Sequence, residues 1–265
     1  MTDAPRTVRI AALGDLHVTR SSKGLLAPIV QQATLTADIL VLAGDLTDHG
    51  TIEETELLVR ELAHVQTPIV AVLGNHDFES GHASELSHML LDAGVKLLDG
   101  EAVELLGVGF AGIKGFCGGF GRHSLGPWGE AAIKAFVREA LDEALKLEAA
   151  LARLRAPRRV AVVHYAPIVG TVEGEPREIF PFLGNSRLEE PLIRFPVTAV
   201  VHGHAHKGSP EGKLSNGVPV YNVALPLLRR LAPEGPWFRV LELPAPADAD
   251  TSPQDPAEPL APLTR

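Results

Sequence analysis

Five short apolar runs in this sequence end in side chains that could bind metal ions or transfer protons. The run Ile39–Ala43 leads through Gly44 into Asp45, and the runs at 8–13 and 69–73 lead into similar polar groups. In chain order the groups are Asp15 with His17, Asp45, Asn75 with His76 and Asp77, His164, and His202 with His204 and His206. Continuous apolar runs of this length are typical of strands buried on both faces. The pattern therefore predicts buried strands that each present ligand-type residues at their carboxyl ends.

The shared position of these groups indicates what chemistry they could perform. Strands of a mostly parallel sheet run in the same direction, so their carboxyl ends lie along one edge, where open α/β sheets place their sites. Asp15 and His17 are two residues apart, so in extended backbone both could reach one ion. Oxygen and nitrogen donors suit hard or borderline divalent ions, and a carboxylate such as Asp45 can bridge two ions about 3.5–4 Å apart. We therefore predict a centre with two metal ions.

Composition limits the class of protein. At 265 residues, with 45% hydrophobic and 22% charged residues, the chain can bury the core of one large globular domain. A net charge of -9 and an aromatic content of 5% disfavour stable binding of nucleic acid. The first ten residues lack the apolar segment of a signal peptide, and no apolar run approaches the ~18 residues of a membrane span. We expect a cytoplasmic protein without a membrane partner.

The elements between the polar groups predict a βαβ succession. Thr51 and Glu54 fit a capping box at the start of a helix. The longest helical pattern, at 127–155, is predicted to pack on the sheet through an apolar side made of Ile133, Val137, Leu141, Leu145, Leu151 and Leu154. The domain is predicted to span residues 1–243, and the segment 244–265, rich in proline, alanine and aspartate, to be a disordered tail.

A glycine-rich stretch at 107–121 has the spacing of a dinucleotide-binding fingerprint at Gly107, Gly109 and Gly112. The last glycine of that fingerprint opens a helix, but three more glycines follow within seven residues and disfavour one. We interpret the stretch as a strand followed by a loop, which is either a mobile connection or a loop that covers or shapes a substrate pocket. The segment 170–185 is a second candidate for substrate selection. The polar groups that the glycine-rich loop offers to a phosphate are Lys114, Arg122 and His123.

The chain resembles the calcineurin-like metallophosphoesterases in five motifs that occur in the same order: Gly14-Asp15-x-His17, Gly44-Asp45, Gly74-Asn75-His76-Asp77, His164 and Gly203-His204-x-His206. The match spans roughly residues 8–223. The resemblance implies an α/β fold in four layers, an α/β/β/α sandwich, around two divalent metal ions. Manganese, iron and zinc all accept this set of nitrogen and oxygen ligands.

The resemblance also implies a role for each motif residue. The first ion would be bound by Asp15, His17 and His206, and the second ion by Asn75, His164 and His204. Asp45 would bridge the two ions. The catalytic acid would be His76, paired with Asp77, which would raise the pKa of its imidazole. A hydroxide shared by the two ions would attack phosphorus while His76 protonates the leaving oxygen.

Within the superfamily the motifs favour a small-molecule phosphodiesterase. Protein serine/threonine phosphatases typically carry an arginine after the Asp45-type loop, where this chain has His49 and Gly50, and a glutamate in place of Asp77. The motifs are closer to those of bacterial phosphodiesterases of the cyclic-nucleotide type. A phosphomonoesterase, a nuclease of the same superfamily and a metal-binding scaffold without turnover remain as alternatives. The physiological substrate, the native metal pair and the oligomeric state are left open.

Overall fold

The computed structural model describes residues 7–244, except for the side chain of His123. The predicted tail lies outside the described residues apart from Pro244, which is the last residue of the final strand. No helix within 7–244 is long and apolar enough to cross a membrane.

The strands of the described part form two sheets. In chain order they are β1 (Thr7–Leu13), β2 (Ile39–Ala43), β3 (Ile69–Val72), β4 (Lys96–Leu97), β5 (Ala102–Leu105), β6 (Val108–Ile113), β7 (Arg158–Val163), β8 (Ala199–His202), β9 (Glu211–Lys213), β10 (Pro219–Asn222) and β11 (Arg239–Pro244). The first sheet has the order β11-β1-β2-β3-β4 and the second the order β5-β6-β7-β8-β10-β9. Neighbours are parallel except where β11, β5 and β9 join their sheets.

Helices cover the outer face of each sheet. They are α1 (Ala27–Thr36), α2 (Ile52–Leu62), α3 (Ala83–Asp92), α4 (Ala131–Arg153), α5 (Phe180–Leu183), α6 (Glu189–Arg194) and α7 (Leu225–Leu231). The first three pack on the first sheet, where side chains such as Leu58 of α2 meet Leu40 and Leu42 of β2. On the second sheet, Leu147 of α4 and Leu192 of α6 meet Val163 of β7.

The two sheets pack face to face through their inner sides. Consecutive residues of β2 alternate between layers: Leu40 and Leu42 face the helices, whereas Ile39 and Val41 join a core shared with Phe110 of β6. Every residue of β2 is buried, as the continuous apolar run requires. The layers are thus helix, sheet, sheet, helix, which confirms the predicted four-layer α/β/β/α sandwich.

The predicted apolar side of α4 was partly wrong. Ile133, Leu141 and Leu145 were expected to face the sheet, but they are 36%, 38% and 60% exposed. Steps of four residues rotate by about 40° around a helix, so Val137, Leu141 and Leu145 drift away from one face. Steps that alternate between three and four residues keep the buried stripe in line, and that stripe contains Val137, Ala140, Leu147, Ala150 and Leu151.

The glycine spacing at 107–121 has a packing explanation. Strand β6 is buried along its whole length, and no helix follows Gly112. A Cβ atom on Gly112 would lie 2.7 Å from Val72 Cγ1 and 2.8 Å from Leu98 Cβ, so only glycine lets β6 approach the first sheet this closely. The predicted strand is therefore confirmed and no helix opens at Gly112, whereas the role of the following loop stays a prediction.

Candidate metal centre

The five polar groups meet at the carboxyl ends of strands from both sheets. Two backbone hydrogen bonds join the ends of β1 and β2: the amide of Asp15 donates to the carbonyl of Gly44, and the amide of His17 donates to the carbonyl of Asp45. The amide of Gly203 donates to the carbonyl of His164, which joins the ends of β8 and β7. The segments that carry the predicted ligands are therefore held together by the backbone before any side chain contributes.

Four of the predicted ligands have left-handed backbone conformations. The φ angles are 54° for Asp15, 45° for His17, 47° for Asp45 and 68° for His204. Residues other than glycine rarely adopt such values, and each instance costs on the order of 1–3 kcal/mol, so they concentrate at functional sites. The sharp turn after each strand directs these side chains towards one another.

The side chains of Asp15, His17 and His206 form the first donor group. Their potential ligand atoms all lie within 4.8 Å of one another. The Nε2 atom of His206 is 2.9 Å from Oδ1 of Asp15, a carboxylate that is 1% exposed. The Nε2 atom of His17 is buried and has no hydrogen-bond partner among the described residues. An imidazole nitrogen buried in this way fits a bound cation.

The side chains of Asp45, His164 and His204 form the second donor group, again with ligand atoms within 4.8 Å. The Nε2 atom of His164 lies 3.3 Å from Asp45 Oδ2 and 3.0 Å from Asn75 Oδ1. The same Asp45 oxygen is 3.8 Å from His17 Nε2 in the first group. The Asp45 carboxylate therefore lies between the two groups, and Asn75 borders the second.

Three of these imidazoles are oriented by bonds at the nitrogen that faces away from the centre. Nδ1 of His164 lies 3.0 Å from the Ala43 carbonyl, and Nδ1 of His17 lies 2.9 Å from Asp48 Oδ1. Nε2 of His204 lies 3.1 Å from the Phe182 carbonyl. Histidines that ligate metals usually donate their second ring N–H to such acceptors. This pattern leaves Nε2 of His164, Nε2 of His17 and Nδ1 of His204 available to ions.

The charges of the site are strongly coupled. Burial acts to raise the pKa of Asp45, but the neighbouring His164 and the amide of His76 outweigh it and hold that pKa well below its usual range. Burial acts to lower the pKa of His164, but the Asp45 carboxylate prevails and raises it to about 9. Burial, together with the charge of His164, lowers the pKa of His204 to about 4. The carboxylate of Asp45 thus stays ionised although it is buried, as a metal ligand must be.

The structure does not pair His76 with Asp77, contrary to the prediction. Nδ1 of His76 lies 2.6 Å from the backbone carbonyl of Asp48, and its ring centroid lies 4.6 Å from that of His17. The two residues begin a 3-10 turn, His76–Phe78, in which consecutive side chains diverge. His76 still borders the centre, because its amide donates to Asp45 Oδ1 at 2.8 Å.

Asp77 instead points into the protein and joins two of the ligand-bearing segments. It is fully buried. Its Oδ1 accepts hydrogen bonds from the amide and the hydroxyl of Thr47 at 2.8 and 2.7 Å, and its Oδ2 accepts from the amides of Leu46 and Gly74 at 3.1 and 2.8 Å. Burial, followed by the charge of Asp45, raises the pKa of this carboxyl group. Asp77 is therefore a positioning residue for Asp45 and Asn75.

Two buried residues support the centre from behind, and only Asn222 escaped the sequence analysis. Asn222 of β10 donates from Nδ2 to the Ala205 carbonyl at 2.7 Å and so holds the turn between His204 and His206. His202 is buried behind the centre, with Nε2 2.8 Å from Thr171 Oγ1. Burial lowers the pKa of His202 to about 4. No local motif marks Asn222, because its partner lies in another segment of the chain.

The structure also places His49, Lys114, Arg122 and the segment 170–185. His49 is 58% exposed and its ring lies between the carboxylates of Asp48 and Glu79. Lys114 follows β6, and its carbonyl accepts from the amide of His164. Arg122 lies in the 3-10 turn Gly121–His123, where the side chain of His123 is outside the described part. The segment 170–185 reaches the centre through the contact between Phe182 and His204.

Comparison with known proteins places the chain in a family. Residues 8–208 match the family model described as calcineurin-like phosphoesterase. The chain belongs to this family. It is therefore a member of a hydrolase superfamily that acts on phosphoesters and typically depends on two metal ions. The described residues form three overlapping sets of potential ligands there: the two donor groups, and a set of His17, Asp45 and His76 between them. No curated protein matches the chain in sequence.

Solved structures share the fold at low sequence identity. The protein TT1561 of Thermus thermophilus has a TM-score of 0.52 and 14% identity, over 84% of this chain and 92% of that chain. GAP50, described as the anchor in the inner membrane complex of Plasmodium, has a TM-score of 0.50 and 15% identity, over 83% and 72% respectively. At such identities the likeness shows the fold alone.

Proposed function

We propose that this metallophosphoesterase hydrolyses small phosphodiesters at a binuclear metal centre. The observation that carries the proposal is the position of the Asp45 carboxylate, whose Oδ2 is 3.3 Å from His164 Nε2 and 3.8 Å from His17 Nε2. One carboxylate between two groups of nitrogen and oxygen donors is the arrangement that a bridged pair of ions requires.

The assigned ligands are, for the first ion, Asp15, His17 and His206, for the second, Asn75, His164 and His204, and, between them, Asp45. Manganese, iron and zinc all suit these donors. When bound, such ions supply positive charge for the phosphoryl oxygens and generate a nucleophile from water near neutral pH. The buried, unpartnered Nε2 of His17 supports the assignment independently of the family.

His76 is assigned the transfer of a proton to the leaving oxygen. The Asp48 carbonyl can only accept, so the hydrogen bond at 2.6 Å places a proton on Nδ1 of His76 and fixes the ring. Nε2 is then the nitrogen that exchanges a proton with substrate. A positioned acid of this kind is worth roughly 10²–10⁴ in rate. Asp77 supports the reaction only indirectly, because its four hydrogen bonds hold the backbone around Asp45 and Asn75.

The surroundings of the centre favour a diester over a monoester. A diester carries a second substituent, so both sides of the phosphoryl group need space and apolar contact. Phe78 is 43% exposed and lies two residues after His76, and Phe182 is 59% exposed and bonds through its carbonyl to His204. Both residues belong to segments that border the centre. They support the small-molecule phosphodiesterase that the motifs favour.

The proposal is tested by turnover with defined metals. Metal-free protein is refilled separately with manganese, iron(II) or zinc, and kcat/KM is compared for bis-p-nitrophenyl phosphate and p-nitrophenyl phosphate. We expect faster turnover of the diester. Faster turnover of the monoester would replace the proposal with a phosphatase, cleavage of oligonucleotides in preference to both would indicate a nuclease, and metal binding without turnover of any of these would indicate a scaffold.

A further inference from the structure

A cavity of about 220 Å³ lies beside the metal centre. Apolar side chains form much of its lining, and the polar groups are residues of α3, Lys114 after β6, and Asp99, whose carboxylate is paired with Lys146 at 3.0 Å. The lining residues used below are Leu73, Phe78, Ser84, Leu97, Leu98 and Lys114. We call this cavity the Lys114 pocket.

The Lys114 pocket borders the centre through three of these residues. Leu73 precedes the segment that carries Asn75, and Phe78 follows the segment that carries His76. The carbonyl of Lys114 accepts hydrogen bonds from the amides of His164 and its neighbour Tyr165 at 3.0 and 3.2 Å. A substituent of a phosphoester held at the centre could therefore enter the pocket.

Hydrogen bonds to the carbonyl of Lys114 and from the amide of Gly115 fix the peptide group between these two residues. The amide of Gly115 donates to Glu143 Oε2 at 2.7 Å. Glu143 is 1% exposed, and its other oxygen accepts from Lys146 at 2.8 Å. Burying a carboxylate is costly unless it is paired and hydrogen-bonded, as it is here. This arrangement distinguishes Lys114 from a surface lysine.

The ammonium group of Lys114 sits among aromatic rings and retains free donors. Nζ lies 5.6 Å from the ring centroid of Phe78, 4.9 Å from that of Phe116 and 5.7 Å from that of Tyr165. It donates to the Gly115 carbonyl at 2.8 Å. Between residues 7 and 244 no carboxylate lies within ion-pair distance of it. An ammonium has three donors, so two are available to a ligand.

We propose that the Lys114 pocket binds one arm of the phosphoester substrate, and that this arm is a single planar ring with an anionic substituent. The proposal rests on the proposed function. An apolar cavity of about 150 Å³ holds benzene, so 220 Å³ has room for one substituted ring. The ring of Tyr165 is 4.4 Å from that of His204, so the Lys114 ammonium lies within about 10 Å of the second donor group. The apolar lining contacts the ring, and the Lys114 ammonium group pairs with the anionic substituent.

The first test compares two diesters whose leaving groups differ in charge. They are methyl 4-nitrophenyl phosphate and methyl 4-carboxy-2-nitrophenyl phosphate, and the ratio of their kcat/KM values is measured for each variant. Intrinsic leaving-group reactivity cancels when this ratio is compared between variants. Lys114→Met should lower kcat/KM for the carboxylated diester, relative to that for the neutral diester, by about tenfold or more. This is the loss expected for a hydrogen bond to a charged group. Lys114→Arg should retain most of the wild-type ratio, and Lys134→Met, an exposed site on α4, should leave the ratio unchanged.

A second variant tests the space rather than the charge. Ser84 is exposed in the first turn of α3, so tryptophan there should fill the pocket without disturbing the core. Ser84→Trp should lower kcat/KM for both aryl diesters and leave inhibition by inorganic phosphate, which has no arm, unchanged. Unchanged turnover of both diesters would place the arm elsewhere and overturn the proposal. Equal losses for both diesters in Lys114→Met would also overturn it, because the charge would then act on the phosphoryl group.

Binding of the free leaving groups tests the Lys114 pocket independently of the proposed function. Titration calorimetry with 4-hydroxy-3-nitrobenzoate and with 4-nitrophenol requires no turnover. The carboxylated phenol should bind more tightly than 4-nitrophenol to the wild-type protein, and Lys114→Met should remove the difference. That result in a protein that hydrolyses no diester would retain the pocket and reject the function. Equal binding to wild type and Lys114→Met would reject the pocket.

Discussion

Replacement of Asp77 by asparagine should weaken metal binding without changing proton transfer by His76. The two Asp77 oxygens accept four hydrogen bonds, from the amide and hydroxyl of Thr47 and from the amides of Leu46 and Gly74. Asparagine keeps one acceptor oxygen and presents an NH₂ group in place of the other. Two of the four donors therefore lose their acceptor in a fully buried site.

The structure sets the size of the effect. Each unsatisfied buried donor costs about 1–3 kcal/mol, while a neutral side chain is easier to bury than the carboxylate, which offsets part of that loss. We expect the free energy of unfolding to fall by about 2–4 kcal/mol. The released amides lie next to Asp45 and Asn75, so metal affinity should fall by about 10–100-fold, as for other partners that support ligands.

Three assays on Asp77→Asn distinguish positioning from proton transfer. Denaturant unfolding of metal-free protein measures stability, titration with manganese measures affinity, and a series of methyl aryl phosphates at saturating metal measures the dependence of kcat on leaving-group pKa. Since His76 bonds to the Asp48 carbonyl, that dependence should equal the wild-type dependence. A steeper dependence in Asp77→Asn would refute this reasoning and restore the pairing with His76. Asp92→Asn, at an exposed position in α3, is the matched control.

Three other substitutions test the acid role of His76 and two contacts that support the centre. His76→Ala should lower kcat for alkyl leaving groups by about 10²–10⁴ and much less for 4-nitrophenolate, and equal losses in the two assays would remove His76 from the acid role. Asp48→Ala removes the acceptor at His17 Nδ1 and should weaken manganese binding about 10–100-fold, whereas an unchanged titration would mean that this contact does not orient the ring. Asn222→Leu removes one of the two donors to the Ala205 carbonyl and leaves the buried Ala224 amide without its acceptor, so it should reduce the free energy of unfolding by about 1–3 kcal/mol, a prediction that an unchanged denaturation midpoint would contradict.

The layered fold could be predicted because its signals are local. Each buried strand is a continuous apolar run, and each run ends at a glycine or polar residue that marks the edge of the sheet. The capping box at Thr51 is equally local: its side chain accepts from the amide of Glu54, as the two residue types predict. The direction of parallel strands then brings the polar groups to one edge without further information.

The contacts of single side chains could not be predicted in the same way. The resemblance implied that His76 pairs with the adjacent Asp77, but the 3-10 turn sends the two side chains in different directions. The acceptor that His76 uses is a backbone carbonyl, which every residue possesses and no sequence pattern marks. Asn222 supports the turn at Ala205 from another strand, so its role depends on how β8 and β10 pair. These contacts are set by tertiary packing.

The number of metal ions bound per chain tests the central claim most directly. Metal-free protein reconstituted with manganese and freed of excess ion is analysed by plasma mass spectrometry, for the wild type and for Asp45→Ala. Because the Asp45 carboxylate lies between both donor groups, we predict two ions per wild-type chain, and fewer than one per chain with no turnover in a folded Asp45→Ala protein. One ion per wild-type chain, or two ions and full turnover in Asp45→Ala, would contradict a bridged binuclear centre.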